Sequence, residues 1–500
     1  MVLGIDLGTT YSVGAYVDES GIPHAIFNSE GDTTTPSVVF FENDNTVVVG
    51  QTAKDFRSTE PKRVISTVKN AMGSDKIFIP IPDMKMTPQD VSSLILRKIV
   101  QDAETNLNEK IQDVVVTVPS YFIEAQEKAT KEAVKLAGLN LIDLMHEPTA
   151  AALYYASKNN MDNTNTLVFD LGGGTFDVSI IHINGDNIEE LSNKGLNNVG
   201  GSFFDQQLVD YVCEEFEKNH DIDLEDEEFI DVYQGLYEKV EKAKKQVCAN
   251  RTSTVIPINA GGTKDRISIT YDYFVSQISS LCERMEYLIK QAIEEAGLTP
   301  EKIDQVIMVG GSSRIPYIED MVTRLIGKTP LRDVNPDLVV GLGASLQADK
   351  INKNKKSSIK DVRSHGIGFL RYSLKEKKKI NVVLIPRNSK AGVTAKSESM
   401  AFARDGQEYV NMVITEGDYE DETISARISE TKIPLPKDVK KGMKYQILMT
   451  LTEKHDICYG IDIPELKQEL RFNLSDEENN ESENSSNNAT KEFLNKISIS

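Results

Sequence analysis

A chain of 500 residues is too long for one core and sets an expectation of about three or four domain-sized units. Its 77 acidic residues against 56 basic ones, a formal charge of −21, exclude nucleic acid as an expected partner, because binding a phosphate backbone needs clustered Lys and Arg. With 39% hydrophobic and 27% charged residues the composition is that of a globular, soluble protein, and no apolar run reaches the roughly 18 residues of a membrane span.

The chain opens directly on a strand pattern at Val2–Asp6, with no basic and apolar leader before it, so no membrane anchor and a cytoplasmic location are expected. The segment LGIDLGTTYSVGAYV at Leu3–Val17 returns, altered, as LVFDLGGGTFDVSII at Leu167–Ile181. In each copy an apolar strand ends in an aspartate, Asp6 or Asp170, and passes through a glycine-rich turn into a second strand. Glycine keeps Cβ atoms away from the turn, so several backbone N–H groups converge on an anion, while Thr9, Thr10 and Thr175 add hydroxyls. An aspartate beside a bound phosphate is placed to hold magnesium through its water shell. One such turn is an ordinary hairpin; a matched pair a domain length apart predicts two lobes facing one nucleotide.

Strand and helix patterns then alternate to about residue 352, the signature of α/β architecture. A helix is expected near Pro88–Leu107, with Thr87 as N-cap and Val91, Leu94, Ile95, Lys98 and Ile99 on one face. Others are expected at Glu124–Ala137, stopped by Gly138, and at Tyr273–Ala296, stopped by Gly297. Cys213, Cys248, Cys282 and Cys458 are too widely spaced for a zinc site or disulfide framework and read as small hydrophobes. His146-Glu147 begins like a zinc-protease helix, but Pro148 follows and no second histidine stands four residues on.

The polar segment NKNKKSSIKDVRS at Asn352–Ser364 reads as an interdomain linker, with bounds at 353–363. Beyond it Val382–Ile385, Glu408–Ile414, Thr423–Ile428 and Tyr445–Leu451 predict an all-β domain over 364–472. From Asn473 the Asn/Ser/Glu-rich tail, 473–500, is expected to be disordered apart from a short helix near Thr490–Ile497.

Neither a Walker-type phosphate loop nor a kinase signature occurs. GIDLGTTYS at Gly4–Ser12, VFDLGGGTFDVS at Val168–Ser179 and VIMVGGSSRIPYI at Val306–Ile318 closely resemble the three signatures of the seventy-kilodalton heat-shock chaperones, the DnaK-like family. VVVTVPSYF, HEPTAAAL, EKAKKQ and NPD add to the likeness, which is strong over about residues 1–350 and weaker, through LIPRN, over about 364–470. The resemblance implies an actin-like, ribonuclease H-like two-lobed ATPase domain over 1–352, with lobes at about 1–160 and 161–352, followed by a β-sandwich that binds extended apolar peptides. It implies ATP or ADP with magnesium, and potassium beside it, in the cleft.

Carried over by that resemblance, Asp6 and Asp170 hold the metal's water shell, and Gly8, Thr9, Thr10, Tyr11, Gly173, Gly174, Gly200 and Gly201 surround the phosphates. Lys69 reaches the terminal phosphate and the attacking water, Glu147 positions that water, and Thr175 lies by the leaving phosphoryl group. Glu241, Lys244, Lys245 and Cys248, expected on one helical face, line the adenosine with Gly311, Ser312, Ser313, Arg314 and Asp337. The family places Arg at 245 and Ser at 248. An ammonium stacks on a base less well than a guanidinium, so weaker adenine binding is expected.

Further departures concern coupling between the domains. SSIK at Ser357–Lys360, before Asp361, lacks the family's leucine-rich docking contact; Asp143 stands where the family has an arginine that receives the J-domain cochaperone. Glu127 replaces an arginine that relays nucleotide state through Pro148. Met400, Ala403, Val410 and Met412 align near the peptide cleft, behind a longer loop, YSLKEKKKI at Tyr372–Ile380, whose lysines suit acidic flanks of a client. The helical lid is expected to be missing, which predicts fast peptide release. The expected activity is that of a monomeric ATP-dependent chaperone of unfolded polypeptides, served by a J-domain protein and a nucleotide exchange factor. Two other readings stay open, a nucleotide-dependent regulatory or structural actin-like protein with one client, and a small-molecule kinase on the same fold.

Overall fold

Thr87 caps the helix Pro88–Leu107 in a reciprocal box with Asp90: its hydroxyl accepts from the Asp90 N–H at 3.2 Å, and its own N–H donates to the Asp90 carboxylate at 2.8 Å. Such local signals recur through the computed structural model, which describes all residues except 44, 160, 186, 332–333, 356–358, 374, 453–455, 475–489, 491–492 and 495–496. The helices at Glu124–Leu136 and Tyr271–Glu295 follow the expected periodicity, and Gly138 and Gly297 take the left-handed backbone that ends them. No helix among the described residues is long and apolar enough to cross a membrane.

The chain is mixed α/β and forms two compact units, one of Met1–Ser120, Gln126–Ile359 and Ala489–Ser500, the other of Tyr121–Ala125 and Lys360–Asn488. In the first unit the sequence repeat becomes a repeat of sheet topology. Val2–Asp6 pairs antiparallel with Tyr11–Val17 on one side and parallel with Asp113–Val118 on the other. Thr164–Leu171 pairs antiparallel with Thr175–Asn184 and parallel with Gln305–Val309. Each hairpin then gains a third antiparallel strand, Pro23–Ala25 in one sheet and Asn187–Asn197 in the other.

The helices Glu147–Lys158 and Val339–Asn352 share a core with strands of both sheets. They meet at contact distance because Gly343 has no side chain: a Cβ there would lie 1.8 Å from the Ala150 carbonyl oxygen. Cys213, Cys248 and Cys282 are buried in the neighbouring core, as small hydrophobes.

Three parts of the chain differ from expectation. The tail is not disordered throughout: residues 475–489 lie outside the described ones, but Ser498–Ile499 pairs with Thr46–Val47 and Leu494 is buried in the first unit's core. The linker's Ser357 and Ser358 also lie outside the described residues. Ile359 nevertheless keeps an apolar contact, packing on the first unit's core, and Ile359–Lys360 forms the edge strand beyond Asn187–Asn197. Finally, YSLKEKKKI is no long loop; Tyr372 pairs with Lys379 and Ser373 with Lys378 in a hairpin turned at Lys377, which is left-handed.

Among the described residues the second unit has two larger antiparallel sheets, Lys378–Ile385, Ile367–Ser373, Tyr409–Glu416 and Ala426–Pro434 in one, and Thr394–Lys396, Lys444–Leu451, Ile457–Ile463 and Gln468–Asn473 in the other, beside a short pair of Val362–Arg363 with Ser389–Lys390. Their inward residues form one core. The strand expected at Thr423–Ile428 starts later because Asp421 accepts from the Thr423 N–H at 2.9 Å and caps a short turn instead.

Burial beside Arg387 and Arg363 pushes the His365 imidazole down to about 4, against the opposing pull of Asp418 and the Tyr121 carbonyl. The unfolded chain therefore takes up this proton first on acidification. The stability contributed by neutral His365 is complete above the ordinary value near 6.5 and is lost progressively toward pH 4, on the order of 2–3 kcal/mol. Calorimetric scans between pH 7 and pH 4.5 should show a steeper fall in the second unit's transition for the parent chain than for His365→Gln. Parallel slopes would contradict this assignment.

Candidate functional site

Asp6 and Asp170 occupy equivalent places, each at the end of the first strand of its hairpin, with Asp6 opposite Val13 and Asp170 opposite Asp177. The glycine turns beyond them face each other. A Cβ on Gly173 would fall 1.9 Å from the Thr10 hydroxyl, and one on Gly174 would fall 2.0 Å from the Asn70 side-chain oxygen. A larger residue at 173 or 174 would have to displace the Thr10 or the Asn70 side chain.

Lys69 enters from the short helical turn Val68–Ala71, which follows the strand Val64–Ser66. Its ammonium donates to Glu147 at 2.5 Å, with both residues less than a tenth exposed. Glu147 is the first residue of its helix, and Pro148, which needs no N–H partner there, follows it. The Thr117 hydroxyl donates to Asp6 at 3.1 Å.

The charges at this point are unbalanced. Burial, reinforced by Glu147 and only partly opposed by Lys69 and Thr117, raises the Asp6 carboxyl to about 7. Burial with Glu147, Asp177 and Asp6 raises Asp170 well above the carboxylate range. Burial alone would lower Lys69, but Glu147, Asp6 and Asp170 outweigh it and hold the ammonium charged. Lys69 thus stands among Glu147, Asp6 and Asp170. Oxygen donors with excess negative charge in a buried setting fit a hydrated divalent cation, whose charge restores the ionised form of both aspartates.

The second turn is fixed from outside by its carbonyls: Gly172 accepts from the Gly201 N–H at 3.0 Å and from the Ser312 hydroxyl at 2.8 Å, and Gly173 accepts from the Ser202 N–H at 3.0 Å. Gly200 and Gly310 take positive φ, 138° and 79°, and a Cβ on either would meet the carbonyl oxygen of Gly172 or Leu171 within 2.6 Å.

Beside the turns lies a cavity of about 410 Å³ lined by Tyr11, Lys54, Glu241 and Lys245. Lys54 donates to Glu241 at 2.9 Å and Lys245 at 2.7 Å. Burial alone would raise Glu241, but these two ammonium groups, Lys54 foremost, hold it down at about 2. The expected helical face divides here. Glu241 and Lys245 line the cavity, whereas Lys244 turns to Asp205 at 2.8 Å and to the Gly201 carbonyl at 3.0 Å, and Cys248 is buried in the core. Arg314 pairs with Asp337 at 2.7 Å, and Gly311 to Arg314 form a single helical turn beside them.

Lys54, Asn70, Thr117 and Asp205 were not expected from the sequence. Thr117 lies inside VVVTVPSYF, a usable signal, while Lys54 carries none because its partner is distant in the chain. Asp143 accepts from Gln347 at 2.8 Å, and Glu127 is half-buried on the helix Glu124–Leu136. Among the peptide-cleft candidates of the second unit, Met412 is buried in the core, Met400 and Val410 pack against it, and Ala403 is exposed.

The family described as Hsp70 protein matches residues 2–452. Chaperone proteins DnaK of Thermotoga neapolitana, Thermotoga petrophila and Thermotoga maritima are each 38% identical to the chain over 423 residues, spanning 83% of it and 70% of the relative. The chain belongs to the Hsp70 family, a family of ATP-dependent chaperones.

Proposed function

We propose that the first unit is an actin-like two-lobed ATPase domain, and that the second is a β-sandwich binding extended apolar segments of unfolded proteins. The observation that carries this reading is the convergence of Asp6, Lys69, Glu147 and Asp170 between two facing glycine turns. Hydrolysis of a phosphoanhydride needs positioning and charge stabilisation more than covalent chemistry.

In this reading the turns at Gly8–Tyr11 and Gly173–Thr175 bind phosphates through backbone N–H groups and hydroxyls. Asp6 and Asp170 would hold magnesium through water, and the bound metal would supply positive charge to the phosphate oxygens. Lys69 brings a compact charge to the terminal phosphate and orients the attacking water, for which Glu147 is the neighbouring acceptor. Thr175 borders the leaving phosphoryl group. Tyr11, Lys54, Glu241 and Lys245 would enclose the adenosine, with Arg314 and Asp337 as further candidates for its binding.

Peptide binding and nucleotide state would be linked by reciprocal coupling, typically about 1–3 kcal/mol and here at the low end, given Asp143 and Glu127. Phosphate release by the intact chain should proceed without an added acceptor and rise when an apolar peptide is supplied. Release only with a hydroxyl acceptor would favour a kinase; release insensitive to peptide would favour the regulatory reading. Lys245→Arg should tighten nucleotide binding several-fold by offering a stacking plane, and an unchanged dissociation constant would remove that residue from the adenine site.

A further inference from the structure

Thr490, Phe493, Leu494 and residues 497–500 follow a long polar run yet contact the first unit. Leu494 is 2% exposed, inside a cluster with Val39, Phe41 and Val47. Phe493 stacks on Phe41 with ring centroids 6.3 Å apart, and Ile497 and Ile499 pack on the same cluster. Ser498–Ile499 runs parallel to Thr46–Val47 at the edge of the sheet that continues through Val38–Asn43 to Val64–Ser66.

Three backbone hydrogen bonds hold this strand: Ser498 N–H to Asn45 at 3.0 Å, Ser500 N–H to Val47 at 3.1 Å, and Val49 N–H to Ser500 at 3.1 Å. At the other end the buried Thr490 donates its hydroxyl to the Lys85 carbonyl at 3.1 Å, and Arg97 donates to the Leu494 carbonyl. The contact combines strand addition with one apolar anchor, the same physics by which sheets capture extended peptides.

The sheet that receives the strand touches both ends of the nucleotide site. Thr46–Val49 leads through Gly50 into the helix Gln51–Asp55, which carries Lys54 to Glu241. Val64–Ser66 leads into the turn that carries Lys69 to Glu147. Movement of this sheet therefore reaches the wall of the adenosine cavity and the hydrolytic lysine together.

We propose that the edge of Thr46–Val49 and its adjoining apolar groove form a strand-docking site for Phe493, Leu494 and residues 497–500 of the same chain, and that occupancy of this site sets how fast nucleotide leaves. The regulatory half rests on the nucleotide reading above. With two ladder pairs and one fully buried anchor the segment is exchangeable, and its attachment to the chain keeps its local concentration high. An extended competitor with the same Phe-Leu and Ile-x-Ile spacing displaces it. Release frees Lys54 from its fixed approach to Glu241 and speeds nucleotide dissociation.

The test compares the intact chain with Leu494→Asp/Ile499→Asp, reading amide hydrogen exchange at Val49 and the dissociation rate of fluorescently labelled ADP. The double variant should expose the Val49 amide and release ADP about tenfold faster. Excess synthetic peptide of residues 489–500 should reverse both effects. Ser498→Pro, which removes one ladder bond and leaves Leu494 in place, should give a smaller increase in the same direction. Unchanged protection of Val49 overturns the docking; faster exchange with ADP release inside twofold overturns the coupling. An intact chain that takes up no label overturns the nucleotide reading and the coupling together, and is told apart from failure of the coupling alone by that missing uptake.

Discussion

Lys69→Ala should lower single-turnover ATP hydrolysis by about 10²- to 10³-fold, the usual effect of removing one preorganised charge from a phosphoryl or acyl transition state. The ammonium is buried, lies 2.5 Å from Glu147, and faces Asp6 and Asp170, so water cannot replace its charge at the same point. Truncation also leaves Glu147 buried without its cation, a change that typically costs about 3–5 kcal/mol. The double variant Lys69→Ala/Glu147→Gln removes that excess charge and keeps the test about catalysis. Both variants should retain nucleotide binding. Hydrolysis within threefold of the parent would remove Lys69 from the reaction.

Gly343→Ala should destabilise the first unit by about 3 kcal/mol or more, the upper range for overpacking. Its added methyl would meet the Ala150 carbonyl oxygen at 1.8 Å and carbon at 2.4 Å, both backbone atoms that cannot rotate away. The helices Val339–Asn352 and Glu147–Lys158 must separate, and the second of them carries Glu147. Gly235→Ala is the matched control. Its nearest neighbour stands 3.9 Å away, so it should gain about 0.5–1 kcal/mol from helix propensity. Equal thermal midpoints for the two variants would contradict the packing described for this pair of helices.

The hairpins were legible because glycine, aspartate and threonine in a short span leave few conformations, and repetition doubled the signal. Helix starts were legible for the same local reason, as at Thr87 and Asp90. What the sequence left open depends on partners far along the chain. Lys69 was placed only by resemblance, since its contact with Glu147 spans 78 positions, and Lys54 meets Glu241 across 187.

A helical face read from spacing also says nothing about rotation. Lys244 and Lys245 are adjacent, but the competing acceptors Asp205 and Gly201 turn the first away from the cavity that the second lines. Composition misled most in the tail. Averaged over the polar run, Phe493, Leu494, Ile497 and Ile499 vanish, although together they fit one groove.

The proposed function requires a metal-bound triphosphate held between the turns after Asp6 and Asp170. Calorimetric titration of the intact chain with magnesium and ATP tests this most directly. A single saturable site, with heat that disappears when magnesium is chelated, is the predicted result; a titration with no heat above dilution would contradict it.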